Sequence, residues 1–146
     1  MDYSATITAS APPDQAARMI IDDLGLWWST RIDRDADGFT IRFNRSHASF
    51  ALDPGGAPDH FTWTCTDAHM IMDGVDDPGE WKGTRLIWQI APAPGGSTVT
   101  LTHKGLTPAL PCFDICQRGW QHFFETSLRN HLNGDTALPE TSQPAA

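Results

Sequence analysis

Basic residues are the scarcer charged class in this sequence. It contains 10 Lys and Arg against 18 Asp and Glu, which gives a net charge of −8 at neutral pH. Binding to a nucleic-acid backbone or to an anionic membrane surface requires clustered positive charge. We therefore predict that neither nucleic acid nor membrane is a partner of this protein.

Long apolar runs and a leader segment are also missing. No apolar run approaches the roughly twenty residues of a membrane span, and the N-terminus lacks the basic and then apolar pattern of a signal peptide. Cysteine is rare as well, and an odd number of three fits a reducing compartment better than a disulfide framework. We therefore expect a cytoplasmic location.

The strongest pattern that is present lies between residues 103 and 134. Apolar residues recur there at steps of three and four, which places them on one stripe of a helix of about five to six turns. Gly134 follows the last of them, as is typical of a residue that ends a helix. The stripe consists of Phe113, Cys116, Trp120, Phe123, Phe124, Leu128 and Leu132.

The preceding hundred residues offer the apolar surface that such a helix needs. Alternating apolar and polar residues predict strands at 3–9, 39–43, 50–52, 61–66, 84–90 and 99–103. A helix with a stripe at Ala16, Met19, Ile20 and Leu24 follows the first strand and is expected to end at Gly25. The next residues, Leu26-Trp27-Trp28, are expected to form a second short helix or turn. We predict an α+β fold in which an antiparallel sheet grips one long C-terminal helix. Residues 1–138 would form a single domain and residues 139–146 a frayed tail.

This order of elements resembles the helix-grip fold of the START-like (SRPBCC, Bet v 1-like) superfamily. Three blocks are similar, more narrowly, to the family named after the activator of Hsp90 ATPase (C-terminal domain type). The resemblance implies a curved antiparallel sheet wrapped around the last helix, with a hydrophobic cavity between them and no particular reaction. The blocks are Trp27-Trp28, residues 80–84, and residues 101–108 with Cys112, Cys116, Gly119-Trp120 and Ser127-Leu128.

Tryptophan is the remaining clue to function, with six in the sequence. Aromatic walls with a few polar groups are typical of pockets for flat or greasy small molecules. The alternative is that the rings are packing bulk and fill the space. The predicted ligand-binding set is Trp27, Trp28, Trp63, Trp81, Trp88, His103, Trp120 and Phe124.

His103 lies in phase with Val99 and Leu101, so the strand directs it toward the apolar face. It is either a core polar group with satisfied hydrogen bonds or a cavity group that meets the polar end of a ligand. As a general acid or base it would need an orienting carboxylate, for which Glu80 is the candidate. We treat both as weak catalytic candidates.

Cys112 and Cys116 could offer two thiolates to a metal, with His103 as a third ligand. A fourth ligand is missing from the pattern, so we expect no metal and no cofactor, and interpret both cysteines as small buried residues. A disulfide between them is disfavoured, because helical Cβ atoms four residues apart are about 5–6 Å from each other and a disulfide needs roughly 3.8 Å.

Together these observations predict a non-enzymatic binder of a small hydrophobic ligand. One alternative is an enzyme of cyclase or hydrolase type that uses His103 as acid or base. Another is a protein-binding module, related to Hsp90 or not. A homodimer is left open.

Overall fold

The computed structural model describes residues 1–143, and the predicted α+β helix-grip architecture is confirmed. One sheet of seven antiparallel strands is arranged in the order β1-β7-β6-β5-β4-β3-β2. The strands are β1 Tyr3–Ala9, β2 Arg31–Arg34, β3 Gly38–Phe43, β4 Ser46–Leu52, β5 His60–His69, β6 Arg85–Ala93 and β7 Gly96–Lys104. The helices are α1 Pro13–Asp22, α2 Leu24–Trp27, α3 Phe113–His122, a π-helical segment Phe123–Leu128, and α4 Arg129–Leu132.

The helical segments from Phe113 to Leu132 are continuous and form what we call the C-terminal helix. Its inward row steps by four residues and is buried throughout, as Cys116, Trp120, Phe124, Leu128 and Leu132. In a regular α-helix each step of four overshoots a full turn by about 40°, so a long row would rotate away from the sheet. The wider turns of the π-helical segment reverse part of that rotation, which keeps the row on the core. The hydrophobic pattern predicts the buried row, but it does not predict the π-helical segment.

The first strand and the second lie at opposite edges of the sheet, and α1 and α2 connect them. The strand β2 was not predicted, because its sequence Arg31-Ile32-Asp33-Arg34 has a single apolar residue. Charged side chains are common on edge strands, where they discourage pairing with another chain. The Arg34 guanidinium also donates to the carbonyl oxygens of Ile21 and Asp22 at the end of α1 (2.9 and 3.1 Å).

The predicted end of the first helix was wrong by a few residues. The helix α1 ends at Asp22, and Gly25 lies inside the short helix α2 rather than after α1. The Asp23 N–H still bonds to the Met19 carbonyl, but its own φ and ψ (−103° and 24°) leave the helical region. The break therefore arises from backbone geometry before the glycine.

The described part of the chain end, residues 139–143, is hydrogen-bonded to the domain at Glu140. Residue Glu140 forms a parallel bridge with Ser29, its N–H donates to the Trp28 carbonyl (2.8 Å), and its carbonyl accepts from Thr30 (3.0 Å). Residues 144–146 lie outside the described part of the chain. The boundary of the domain at residue 138 stays a prediction.

Within residues 1–143, no helix has the length and apolar character needed to cross a membrane.

Candidate ligand-binding cavity

A cavity of about 420 Å³ opens to solvent between the C-terminal helix, the turn that joins β3 to β4, and the loop after β5. Its inner wall is made of buried side chains, its sides of half-buried apolar ones, and its rim is largely polar. The inner wall is Trp28, Trp81, Cys116 and Trp120; the sides are Phe43, Met70, Met72, Ile115 and Phe123 with Gly119; the rim is Asn44, Arg45, Ser46, Ile71, Glu140 and Ser142.

Three indoles from three separate parts of the chain form the inner wall. The rings of Trp81 and Trp120 stack with their centroids 6.0 Å apart and their planes 9° apart. Trp28 lies against Trp120, with a centroid separation of 5.2 Å. Offset aromatic contacts of this kind add stability beyond simple burial, so the wall is a rigid aromatic surface.

Trp28 reaches this wall because α2 is only four residues long. It follows the last residue of α2 with φ of −104° and ψ of −67°, so the backbone turns there. Its neighbour Trp27 is also buried, and the two indoles stack at 5.5 Å. Trp27 faces the core, where its Nε1–H donates to the Ile20 carbonyl (3.0 Å). Two adjacent indoles therefore share the interior, with Trp28 alone of the pair at the cavity.

The rim carries the polar groups of the cavity. The turn between β3 and β4 places Asn44 at a φ of 50°, a left-handed conformation that Asn tolerates better than most residues. Arg31 fixes this edge by donating to the carbonyl oxygens of Asn44 (2.9 Å) and Ser142 (3.1 Å). Arg45 is exposed and makes no ion pair with any other residue in the 1–143 range. A cation is thus available beside an apolar cavity.

Gly119 leaves part of the helix side of the cavity without a side chain. A Cβ atom placed on it would meet nothing within 4 Å. Its neighbours on the helix surface, Cys116 and Trp120, have larger side chains and are buried. The glycine therefore contributes directly to the empty volume.

His103 lies behind this wall and does not line the cavity. It is fully buried, Trp120 Nε1–H donates to its Nδ1 (3.0 Å), and its Nε2 lies 2.8 Å from Thr84 Oγ1. Because Thr84 gives its own proton to the Trp81 carbonyl, His103 must donate from Nε2 and is neutral. Burial lowers the pKa of His103 from 6.5 to about 3. The predicted contact with a ligand's polar end has no free nitrogen in this arrangement.

Glu80 is not brought to His103. Its carboxylate accepts a hydrogen bond from the backbone N–H of Cys112 (3.0 Å), at the start of the C-terminal helix. The hydrogen-bond partners of the His103 ring in the described chain are Thr84 and Trp120. The two weak catalytic candidates therefore form no acid–base pair here.

The other predicted aromatic residues pack against each other in the core, away from the cavity. Trp63 and Trp88 have centroids 5.1 Å apart, and Phe124 lies 5.9 Å from Trp88. Trp88 Nε1 is the single buried side-chain polar atom within residues 1–143 that lacks a hydrogen-bond partner. In this half of the interior the rings fill the space. A second, more open groove of about 560 Å³ lies between α1 and the β4–β5 turn, and the buried Trp63 is among its lining residues.

The cysteines at the start of the C-terminal helix, Cys112 and Cys116, are free buried thiols, and Cys116 belongs to the cavity wall. Trp81 Nε1–H donates to Cys116 Sγ (3.1 Å), and Cys116 Sγ lies 3.7 Å from Met72 Sδ. A hydrogen bond from Cys112 and a second from Trp81 lower the pKa of Cys116, although burial opposes the shift. The same contact with Cys116, burial and nearby Glu80 raise the pKa of Cys112 far above its ordinary value.

Several residues that line the cavity were not predicted from the sequence. Met70 and Met72 lie after the regular part of β5, where alternation had ended, and Gly119 has no side chain to contribute to a hydrophobic stripe. Arg45 had one available signal, since it is one of few cations in an acidic chain and lies in a tight turn.

The chain has the helix-grip fold, a curved antiparallel sheet packed on one long C-terminal helix. Solved structures share this fold at low sequence identity. The Aha1 dimer from Colwellia psychrerythraea is 20% identical with a TM-score of 0.72, covering 91% of this chain and 96% of that one. Protein MLL2253 from Mesorhizobium loti is 16% identical with a TM-score of 0.67, covering 90% and 96%.

A third neighbour, DynU16 from the dynemicin biosynthetic locus, is 15% identical with a TM-score of 0.66. The match covers 97% of this chain and 51% of that one. No protein-family model matches the sequence, and no curated protein matches it. The likeness confirms the predicted helix-grip fold of the Aha1 type, and at these identities it is a likeness of fold alone.

Proposed function

We propose that this domain binds a small hydrophobic molecule in the cavity between the C-terminal helix and the β3–β4 turn. The observation that carries the proposal is a cavity of about 420 Å³ with an aromatic inner wall and methionine sides. Pockets for drug-sized ligands have volumes of about 300–1,000 Å³ and mostly apolar walls. Methionine side chains adapt to different ligand shapes, which favours a greasy molecule of variable outline.

The rim supports a ligand with one anionic or polar end. Arg45 supplies an unpaired positive charge, and Asn44 and Ser46 beside it carry hydrogen-bonding side chains. An apolar body on the indoles would place a carboxylate or similar group at this edge. Binding is favoured over catalysis because the inner wall presents indole faces, while His103 is buried with both ring nitrogens bonded to protein.

The experiment is a fluorescence titration with two matched probes. Anilinonaphthalene sulfonate and phenylnaphthylamine share their aromatic rings, and the first alone carries a negative charge. We expect saturable binding of both at one site. Arg45→Gln is expected to weaken the sulfonate severalfold and to leave the neutral probe unchanged.

An exposed control separates the site from general surface charge. Arg85 lies on β6, exposed and outside both the cavity and the second groove, so Arg85→Gln is expected to change neither affinity. Absence of saturable binding by either probe would contradict the proposal. Equal loss of the sulfonate in both arginine variants would assign the effect to net charge.

A second proposal concerns self-association. The Colwellia psychrerythraea structure with this fold is described as a dimer, and we propose that the present chain also forms homodimers. Sedimentation equilibrium over a range of concentrations tests it, and a monomer mass at all of them would contradict it.

A further inference from the structure

Two cysteines and a methionine come together where the C-terminal helix begins. Cys116 Sγ lies 3.7 Å from Met72 Sδ, and Cys112 lies one helical turn before Cys116, whose backbone N–H donates to the Cys112 carbonyl (2.9 Å). Cys116 and Met72 both line the cavity. The cluster is therefore buried in protein on one side and reached from the cavity on the other.

Thiolate and thioether sulfur together are the ligand set that selects copper(I). A metal that binds sulfur at about 2.3 Å holds its sulfur ligands roughly 3.8–4.0 Å apart, whether three or four ligands surround it. The Cys116–Met72 separation of 3.7 Å is already close to that spacing. We propose that Cys112, Cys116 and Met72 form a binding site for a soft monovalent cation of the copper(I) class, entered through the cavity.

The surroundings of the thiols favour exchange of a proton for a cation. Trp81 Nε1–H donates to Cys116 and stabilises negative charge on its sulfur. The Glu80 carboxylate accepts from the backbone N–H of Cys112 (3.0 Å) and adds negative charge beside the two sulfur atoms. A bound cation would replace the thiol protons and offset the repulsion between these anionic groups.

This site differs from the metal site considered in the sequence. In the sequence-based hypothesis, His103 was the third ligand beside the two cysteines and a fourth ligand was missing. In the structure both ring nitrogens of His103 are hydrogen-bonded to Thr84 and Trp120. The third ligand is instead the thioether of Met72, 40 residues before Cys112. Within residues 1–143 no three His, Cys, Asp or Glu side chains form a metal-binding group, and a thioether as the third ligand favours copper(I) over zinc.

The test is an anaerobic competition for copper(I) between the reduced protein and the coloured chelator bicinchoninate. We expect the protein to withdraw one equivalent of copper(I), with ultraviolet thiolate-to-copper absorption. Losing an outer-shell partner alone costs about 10–100-fold in metal affinity. We therefore expect Cys112→Ser and Cys116→Ser to lose at least about a hundredfold and Met72→Leu about tenfold.

Cys65→Ser is the matched control, because Cys65 is equally buried but lies on β5 with its thiol directed to the Asp67 carbonyl (3.4 Å). It is expected to bind like the parent. Failure to compete, or unchanged affinity in Cys116→Ser, would overturn the site, as would an equal loss in Cys65→Ser. If a cysteine variant unfolds, Met72→Leu decides, since it keeps the apolar volume. Probe binding and copper binding are measured separately, so either proposal can fail alone.

Discussion

Gly119→Leu is the sharpest test of the cavity, because the change adds a side chain where the wall has none. A Cβ atom at this position meets nothing within 4 Å, and the glycine lines the cavity. The leucine side chain would then occupy space that a ligand needs. The same substitution suits the helix, since glycine is about 0.8–1.0 kcal/mol less favourable than alanine in a helix interior and leucine is nearly as good as alanine.

Stability and binding are therefore expected to change in opposite directions. The free energy of unfolding should rise by up to about 1 kcal/mol, which raises the melting temperature of a domain of this size by about 3–5 °C. Displacing one aromatic ring of a probe removes roughly 100 Å² of burial, or about 2.5 kcal/mol at 25 cal/mol per Å². That loss corresponds to nearly a hundredfold in affinity.

The assay is fluorescence titration with phenylnaphthylamine, alongside thermal unfolding of the same samples. Gly25→Leu is the control, because Gly25 also has no atom within 4 Å of an added Cβ and lies in α2, outside the cavity wall. It should bind the probe like the parent. Parent-like affinity in Gly119→Leu would refute the cavity as the binding site, and a fall in its melting temperature would refute the open space at this position.

Three further predictions concern Trp120 of the inner wall and two residues outside the cavity, His103 and Tyr3. Trp120→Ala should lower the free energy of unfolding by about 3–5 kcal/mol, because it leaves a hole beside Trp28 and Trp81; chemical denaturation measures it, and a loss under about 1 kcal/mol would contradict the packing. Burial lowers the pKa of His103 from its ordinary 6.5 to about 3 in the folded protein, so between these values the unfolded chain binds a proton that the folded protein does not. The stability held above pH 6.5 should therefore decline as the pH falls toward 3, by up to about 1.4 kcal/mol per pH unit. His103→Phe should be less stable at neutral pH, since Trp120 loses its acceptor, but its stability should depend less on pH; parallel curves for parent and variant would contradict a buried neutral imidazole. Tyr3→Phe should cost about 1.5–3 kcal/mol, because the hydroxyl donates to the Glu125 carboxylate (2.8 Å), and an unchanged denaturation midpoint would show that this bond contributes nothing net.

The predicted helix and strands agree with the structure wherever one face is buried and the other is not. The strand β7 shows this alternation from Gly96 to Lys104, with Ser97, Val99, Leu101 and His103 buried. The strand β2 escaped prediction because both its faces are largely wet at the sheet edge. The π-helical segment has no signature in a hydrophobic pattern, since a row that steps by four fits either kind of turn for a short distance.

The candidate site divides along the same lines. Trp28, Trp81 and Trp120 line the cavity, whereas Trp63, Trp88 and Phe124 belong to the packed core. All of these residues point inward. The periodicity of the sequence does not distinguish an inward side chain that borders a cavity from one that packs against another side chain. His103 is the clearest example. It points inward as its position in the strand predicts, but it meets the indole of Trp120, which donates to its Nδ1 atom, and not the cavity.

The sequence by itself determined the elements of the grip, the inward row of the last helix and the aromatic character of the interior. These depend on the period of apolar residues along the chain, which is a local property. Only the tertiary structure decided which inward residues border empty space, which polar atoms are already bonded, and that Met72 lies against Cys116. Those outcomes depend on distances between elements that are far apart in the chain, and no local period carries them.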